Sequence, residues 1–404
     1  MIISKTLAKA FDSIFTLPYL PDQPLISVIV VITVVYGLAA LLLFYGIQRR
    51  NYAQTSNQPF VSVLIAARNE EKSLPACLQT LLRSEYPADK FEIIVINDRS
   101  TDRTRELAEN FARECANLRV ISMMQRLENM SGKASALCQG IARTRGEIVL
   151  LTDADCAPPP AWISQMVSYF TPEVGLVGGF TLLASHEQKN AVFAKIQTLD
   201  WIYLLAVGAG AAALGKPLSI IGNNFAFRRA AYDAVGGYEK IGFSIIEDFA
   251  LMRAINEQTS WRIIFPVDSR TTMISKPALD WREFYEQRQR WAAGGKEAGM
   301  LAGIFMLIAF LGHLAGFAAW FISLPLALIC LIILMSSDFL LLWKTAARLA
   351  RKDLLKVFPL FEMYYFFYSF IFAPTVLLPA TVRWKGVQYR WNFRGKIKRV
   401  EEKL

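Results

Sequence analysis

Histidine is nearly absent from this 404-residue chain, with two copies, and cysteine is sparse, with five. Cys77, Cys115, Cys138, Cys156 and Cys330 are scattered, odd in number and without a CxxC spacing. That excludes a disulfide framework and a structural zinc site, and points to buried free thiols. His186 and His313 are too few for histidine-rich metal chemistry or a Ser-His-Asp triad; His313 lies in an apolar run and is expected to pack there. Charge is thin as well. Only 19% of residues are charged, against roughly 25% in ordinary soluble domains, while 54% are hydrophobic. Internal repeats and low-complexity linkers are lacking.

The apolar residues that are present are concentrated. Leu25 to Ile47 holds no Asp, Glu, Lys or Arg and exceeds the ~20 residues a helix needs to cross the hydrocarbon core. It is too long for a signal-peptide apolar region, and no small-residue cleavage site follows. Arg49 and Arg50 come next, so residues 1–50 are read as a segment with one span (25–47) and a cytoplasmic exit. A second block, Leu301 to Trp343, has Asp338 as its only charge. At ~1.5 Å per residue it is about twice the core thickness, so two antiparallel spans within 301–343, turning near Ser323–Pro325, are expected. Lys344, Arg348, Arg351, Lys352 and Lys356 then mark a cytoplasmic loop. A third block, 357–382, contains Glu362 and Pro359, Pro374 and Pro379. A hairpin bent at Pro374 keeps the basic tail 383–404 inside, as the charge rule prefers; a further span is the alternative.

Residues 298–382 thus form a C-terminal membrane region, and residues 51–297, with most of the acidic residues, a cytoplasmic domain. The net charge of +10 is carried in part by a tail that follows a membrane segment. Anionic lipid is therefore the expected partner, and no nucleic acid.

Phe60 to Ala66 and Phe91 to Ile96 are β-branched apolar runs, and Glu71 to Ser84 between them has apolar residues at helical spacing. That is a parallel βαβ unit, with Glu147 to Thr152 a third strand after a helical stretch at Lys133–Thr144. Ligands in such α/β sheets bind beyond the carboxyl ends of the strands. Each strand here runs into a polar cluster: Arg68-Asn69-Glu70, Asn97-Asp98 and Asp153-Ala154-Asp155. Two carboxylates one residue apart can hold a hard divalent cation that also takes phosphate oxygens. The alternative for Asp-x-Asp alone is a solvated turn before Pro158-Pro159-Pro160.

Taken together, six ordered motifs from about Val61 to Trp291 resemble the family 2 glycosyltransferases, nucleotide-sugar enzymes with a GT-A fold. Val63 to Glu71 resembles that family's opening strand and nucleotide loop, with Ala67, Arg68 and Glu70 as donor contacts. Ile94 to Thr104 resembles its NDxSxDxT stretch, with Asp98 at the uracil/ribose position, and Gly132-Lys133 to Leu137 its GKxxAL segment near the donor. Asp153 and Asp155 stand at the metal pair, Glu247 and Asp248 at the ED position, and Gln287 to Trp291 matches the QxxRW of membrane synthases. Arg99 departs from the pattern where glycine is common, as do Ile246 before the Glu-Asp pair and Arg68 where tyrosine is frequent.

The resemblance implies an α/β GT-A domain plus transmembrane helices, in a bacterial inner membrane with the catalytic domain cytoplasmic. It implies a UDP-sugar donor, Mg²⁺ or Mn²⁺ on Asp153 and Asp155, inversion at the anomeric carbon and Asp248 as general base. Lys133 and Arg290 are then helpers at the leaving diphosphate, and Gln287, Trp291 and Asn223 contacts on the diphosphate or acceptor side. The acceptor is a growing polysaccharide, in the style of poly-β-1,6-N-acetylglucosamine or cellulose synthases, or a lipid that receives one sugar. A polysaccharide product would bring in an accessory export subunit. The rival from another class is a non-catalytic nucleotide-binding membrane scaffold. Leu199 to Leu214 either lies at the membrane interface along the acceptor's route or is a buried helix.

Overall fold

The computed structural model describes residues 23–49, 51–128, 130–184, 191–244, 246–294, 299–372, 381–384, 387–391 and 397–402. His186 and Pro374, and with Pro374 the expected hairpin bend, lie outside them.

A long helix, α1 (Gln23–Arg49), leads into β1 (Val61–Ala67), α2 (Leu74–Leu81), β2 (Phe91–Asn97), α3 (Thr104–Glu114), β3 (Leu118–Ser122), α4 (Gly132–Ile141) and β4 (Ile148–Asp153). The chain continues through α5 (Trp162–Ser168), β5 (Val174–Gly178), β6 (Thr181–Leu183), a long α6 (Ala191–Ala213), β7 (Asn224–Arg228), α7 (Arg229–Ala234), α8 (Gly237–Ile241), α9 (Glu247–Gln258), β8 (Arg262–Ile264) and β9 (Met273–Ser275). It ends in α10 (Trp281–Gly294), α11 (Gly299–Ala319), α12 (Leu324–Arg348), α13 (Phe358–Phe372) and three short strands, β10 (Thr381–Trp384), β11 (Val387–Trp391) and β12 (Ile397–Glu402).

Seven strands form the central sheet in the order β3-β2-β1-β4-β7-β5-β8. The first four are parallel; β7 runs antiparallel between β4 and β5, and β5 pairs parallel with β8. Strand alternation sends Val61, Val63 and Ile65 to one face, where Leu74, Cys77, Leu78 and Leu81 of α2 cover them. Leu64 goes to the other, beneath Leu137 and Ile141 of α4. Each such buried aliphatic side chain contributes about 1.5–3 kcal/mol, which is why the strands are apolar runs with no polar face. The register pairs Ala67 with Asn97 and Ala66 with Asp153, so the three polar strand ends meet at one rim.

Among the described residues five helices are long and apolar enough to cross a membrane: Pro24–Arg49, Ala191–Ala213, Gly299–Ala319, Leu324–Arg348 and Lys352–Phe372. Two features differ from the expectations above, one of these helices and the C-terminal segment. The Leu199–Leu214 run extends back to Ala191, because Lys195 and Gln197 interrupt the apolar pattern without ending the helix. Most of that helix is buried inside the protein, 83% of its apolar window, which decides for a buried helix. The basic tail, set apart at residue 383, is instead a three-stranded antiparallel sheet that begins at Thr381.

Small residues let α6 sit against α1. A Cβ on Gly46 would lie 2.6 Å from the Gly210 carbonyl oxygen, and one on Gly210 2.7 Å from that of Leu43. Gly210→Val should therefore force the helices apart and lower stability by about 1–3 kcal/mol, read as a fall in melting temperature in detergent. Asp338, the one charge of its apolar block, is fully buried; its Oδ1 accepts hydrogen bonds from Tyr36 (2.6 Å) and Tyr203 (2.8 Å), tying α12 to α1 and α6. His313 packs between the rings of Tyr36 and Tyr365.

Candidate active site

One cavity of about 1200 Å³ opens at the carboxyl rim of the sheet and runs between α6, α10, α11 and α13. Every residue singled out from the sequence lines it: Ala67, Arg68, Glu70, Asp98, Lys133, Asp153, Asp155, Asn223, Glu247, Asp248, Gln287, Arg290 and Trp291. They come from β1, β2, β4 and the starts of α4 and α9 on one side, and from α10 on the other.

The loops after β1 and β2 are laced together. Asn69 Oδ1 accepts the Thr101 N–H at 2.8 Å, Ser100 Oγ the Asn69 N–H at 3.1 Å, and Asp102 Oδ2 the Glu71 N–H at 3.1 Å. Arg99 adopts the left-handed conformation that glycine would take there, at φ +54°, and its Nε holds Asp98 Oδ1 at 2.9 Å. The departure from glycine thus keeps the backbone turn and adds a cation beside Asp98. Asp98 is also close to the helix start of α4: a Cβ on Gly132 would be 3.4 Å from its Oδ2.

Lys133 stands in the first turn of α4, whose N-cap Ser131 accepts the Ala134 N–H. Its Nζ lies 2.7 Å from Asp153 Oδ1 and 3.3 Å from Glu247 Oε1. Burial opposes the ammonium charge, but Asp153 and Glu247 outweigh it and push the Lys133 pKa up. Lys133 stays charged.

Glu247 and Asp248 open α9 and are nearly buried, 6% and 7% exposed. Asp248 Oδ1 accepts the Phe249 N–H at 2.8 Å. Burial, and next the neighbouring Glu247, raise its pKa to about 7 against the opposing pull of Lys133 and the Phe249 N–H. Glu247 is engaged by Lys133, so Asp248 is the carboxylate poised to take a proton near neutral pH. Gly222 makes room for it, since a Cβ there would sit 2.7 Å from Asp248 Oδ2.

Among the described residues no group of three His, Cys, Asp or Glu could hold a metal ion alone. Asp153 and Asp155 supply two carboxylates on the cavity wall, and Asp153 is 34% exposed. That donor set fits a hard divalent cation that takes its remaining ligands from phosphate and water.

On the α10 side, Gln287 Oε1 is buried and has no hydrogen-bond partner among the described residues, which leaves an acceptor for a bound ligand. Trp291 packs on Trp201 with ring centroids 5.2 Å apart. Asn223 Oδ1 accepts the Thr181 hydroxyl at 2.8 Å, while the adjacent Asn224 is structural, bridging Trp162, Phe180 and Thr271. Farther along, the wall is apolar, with Leu204, Leu205, Phe305, Met306 and Phe310. The sequence reading missed Trp201 and the buried residues Asp200 and Arg288 behind it. Asp200, a lone acid in an apolar run, was the available signal.

A mostly parallel sheet with carboxylates gathered at the carboxyl rim around one lysine is the arrangement of a GT-A fold. Residues 62–236 match the family model described as glycosyl transferase family 2. It is 28% identical over 266 residues to a beta-monoglucosyldiacylglycerol synthase of Nostoc sp. (strain PCC 7120), covering 65% of this chain and 55% of that one. It is 29% identical over 248 residues to a poly-beta-1,6-N-acetyl-D-glucosamine synthase of Staphylococcus epidermidis, covering 59% and 55%. The chain thus spans about half the length, 55%, of these relatives. A mannosyltransferase of Pyrobaculum calidifontis, solved in complex with GDP-Man and Mn²⁺, shares the fold with a TM-score of 0.54 at 20% identity, covering 86% of this chain and 98% of that one.

Proposed function

We propose that the protein is a membrane-embedded inverting glycosyltransferase that moves a sugar from a UDP-sugar to the hydroxyl of a lipid acceptor. One observation carries the reading: a single cavity joins the carboxylates of the sheet rim to the apolar walls of α11 and α13. The nucleotide lies against Ala67, Arg68, Glu70 and Asp98. The diphosphate lies near Lys133, Arg290 and the Asp153/Asp155 pair. A divalent ion held by that pair would neutralise charge on the leaving diphosphate.

Asp248 takes the acceptor proton as the acceptor oxygen bonds to the anomeric carbon, and the carbon–oxygen bond to the nucleoside diphosphate breaks. One base and one displacement invert the centre. Gln287, Trp291 and Asn223 orient the acceptor. Beyond Asp248 the cavity is lined by Phe305, Met306, Leu307 and Phe310, surfaces that suit an acyl or prenyl chain better than a hydrated sugar polymer. The lipid reading requires no export subunit. The second reading, polysaccharide synthesis, is favoured by the poly-N-acetylglucosamine synthase relatives. The basic residues after α1 and α12 support a catalytic domain on the cytoplasmic side of the membrane in either case.

Purified protein incubated with a panel of labelled UDP-sugars should transfer with Mg²⁺ or Mn²⁺ and stop when EDTA is added. Transfer undiminished in EDTA contradicts the metal assignment, and no turnover of any UDP-sugar contradicts the donor assignment. Gly222→Ala should push the Asp248 carboxylate out of line and reduce kcat by about 10²-fold, with donor affinity kept. Calorimetry with UDP beside the transfer assay separates the two effects.

A further inference from the structure

We propose that Arg288 and Asp200 form a positioning pair for the acceptor side of this site, an assignment that rests on the transferase reading above. Gln287, Arg290 and Trp291 lie at helical spacings of three and four, so one face of α10 carries all three into the cavity. Arg288, between them in sequence, is not part of the cavity wall and has no exposed surface. Its Nη2 is 2.5 Å from Oδ2 of Asp200, equally buried, on α6. Tyr364 of α13 donates to the same carboxylate oxygen at 3.0 Å. The guanidinium lies over the Trp291 ring at 4.3 Å, and Trp291 in turn packs on Trp201, the neighbour of Asp200. The rotation of α10, and with it the direction of Trp291 and Arg290, is thus set by one ion pair that bridges three helices.

The pair is poorly arranged for stability alone. Arg288 Nε, Nη1 and Nη2 and Asp200 Oδ1 have no hydrogen-bond partner among the described residues, so the Nη2–Oδ2 contact is an ion pair without hydrogen-bond geometry. A buried ion pair with unmet donors is no more stabilising than well-packed apolar side chains of similar volume. What apolar packing lacks is direction: the one Nη2–Oδ2 contact pins α10 to α6 at a single point, and the planar guanidinium is held flat over the Trp291 ring, an orientation that aliphatic contacts leave free. The helix needs that orientation because the acceptor must meet Asp248 on one side and Trp291 on the other.

The double variant Asp200→Leu/Arg288→Met removes both charges and leaves no unpaired buried ion, so it avoids the folding failure expected of either truncation alone. It should bind UDP within about twofold of wild type while its acceptor KM rises about tenfold or more, because a misplaced acceptor platform costs binding and alignment. Arg288→Lys, which keeps the charge but not the planar group over Trp291, should fall between. Hydrogen exchange across residues 281–294 should rise selectively in the double variant. An acceptor KM unchanged from wild type, or donor affinity and acceptor KM worsening in step with melting temperature, overturns the positioning role. A wild-type protein that transfers sugar to nothing contradicts the transferase reading instead. The pair is then judged by the exchange experiment alone, where unchanged protection of α10 counts against it.

Discussion

Asp248→Asn abolishes sugar transfer, by about 10³-fold or more, and leaves UDP affinity within about twofold. The amide is nearly isosteric and can still accept the Phe249 N–H through Oδ1, so the first turn of α9 keeps its geometry. It cannot take a proton. Stability supplies an independent check. The folded-state pKa of Asp248 is raised to about 7 by burial and by Glu247, so ionising it costs folding free energy as pH rises from its unfolded value through about 7. At pH 8 the neutral asparagine removes that cost, and the variant should melt no lower than wild type. A labelled-sugar transfer assay, UDP calorimetry and a melting curve on one preparation decide the matter. Retained turnover, or lost UDP binding with lost stability, contradicts the role of Asp248.

Lys133→Met produces the second large effect, and it acts on two quantities at once. The ammonium bridges Asp153 and Glu247, and its field also lowers the Asp248 pKa. Without it, three nearby carboxylates repel one another in a largely buried corner, at a cost of about 3 kcal/mol in stability. The same loss should push the Asp248 pKa further up. Wild-type kcat/KM should therefore climb about tenfold per pH unit on the acid side and level off above about 7, with the proton on Asp248 as the inhibited form. In the Lys133→Met protein that limb should move to higher pH, and donor affinity should fall. A pH–rate profile whose acid limb does not move would show that Lys133 and Asp248 are not electrostatically coupled.

The donor half of the site was legible in the sequence because its parts are local. The strands β1, β2 and β4 are mostly apolar runs, each followed at once by its polar residues, so parallel pairing alone brings Ala67, Asp98 and Asp153 to one rim. The ED and QxxRW segments came from resemblance. Nothing in their composition states that Glu247 meets Lys133, and that contact depends on the antiparallel insertion of β7, which carries Gly222 and Asn223 just before it. Strands β3, β5, β7 and β8 were not recognised, because Leu118–Ser122, Val174–Gly178, Asn224–Arg228 and Arg262–Ile264 have five residues or fewer, each with a glycine or arginine in it.

The membrane half was less legible for a physical reason. A helix that packs on other helices can carry Lys195, Gln197 and Asp200 and still be largely buried, so a rule based on uncharged length stops it short. The roles of Asp200 and Arg288 depend on contacts between segments more than 80 residues apart, Asp200 with Arg288 and Asp200 with Tyr364, which no local pattern encodes. The three C-terminal strands were read as a basic tail because the count of charges hid the period of two in Thr381–Trp384 and Val387–Trp391, and Ile397–Glu402 has no such period to show.

The most direct test of a cavity shared by a nucleotide-sugar and a lipid is where the sugar goes. Purified protein in mixed micelles with a bacterial lipid extract would receive labelled UDP-glucose, UDP-N-acetylglucosamine or UDP-galactose, with the Asp248→Asn protein as control. The products would then be divided between solvent-extractable lipid and insoluble high-mass carbohydrate. Label in the lipid fraction, absent with the Asp248→Asn protein, is the predicted result. Label in high-mass carbohydrate, with none in lipid, would contradict the lipid acceptor and make the apolar walls of α11 and α13 a channel for a polymer.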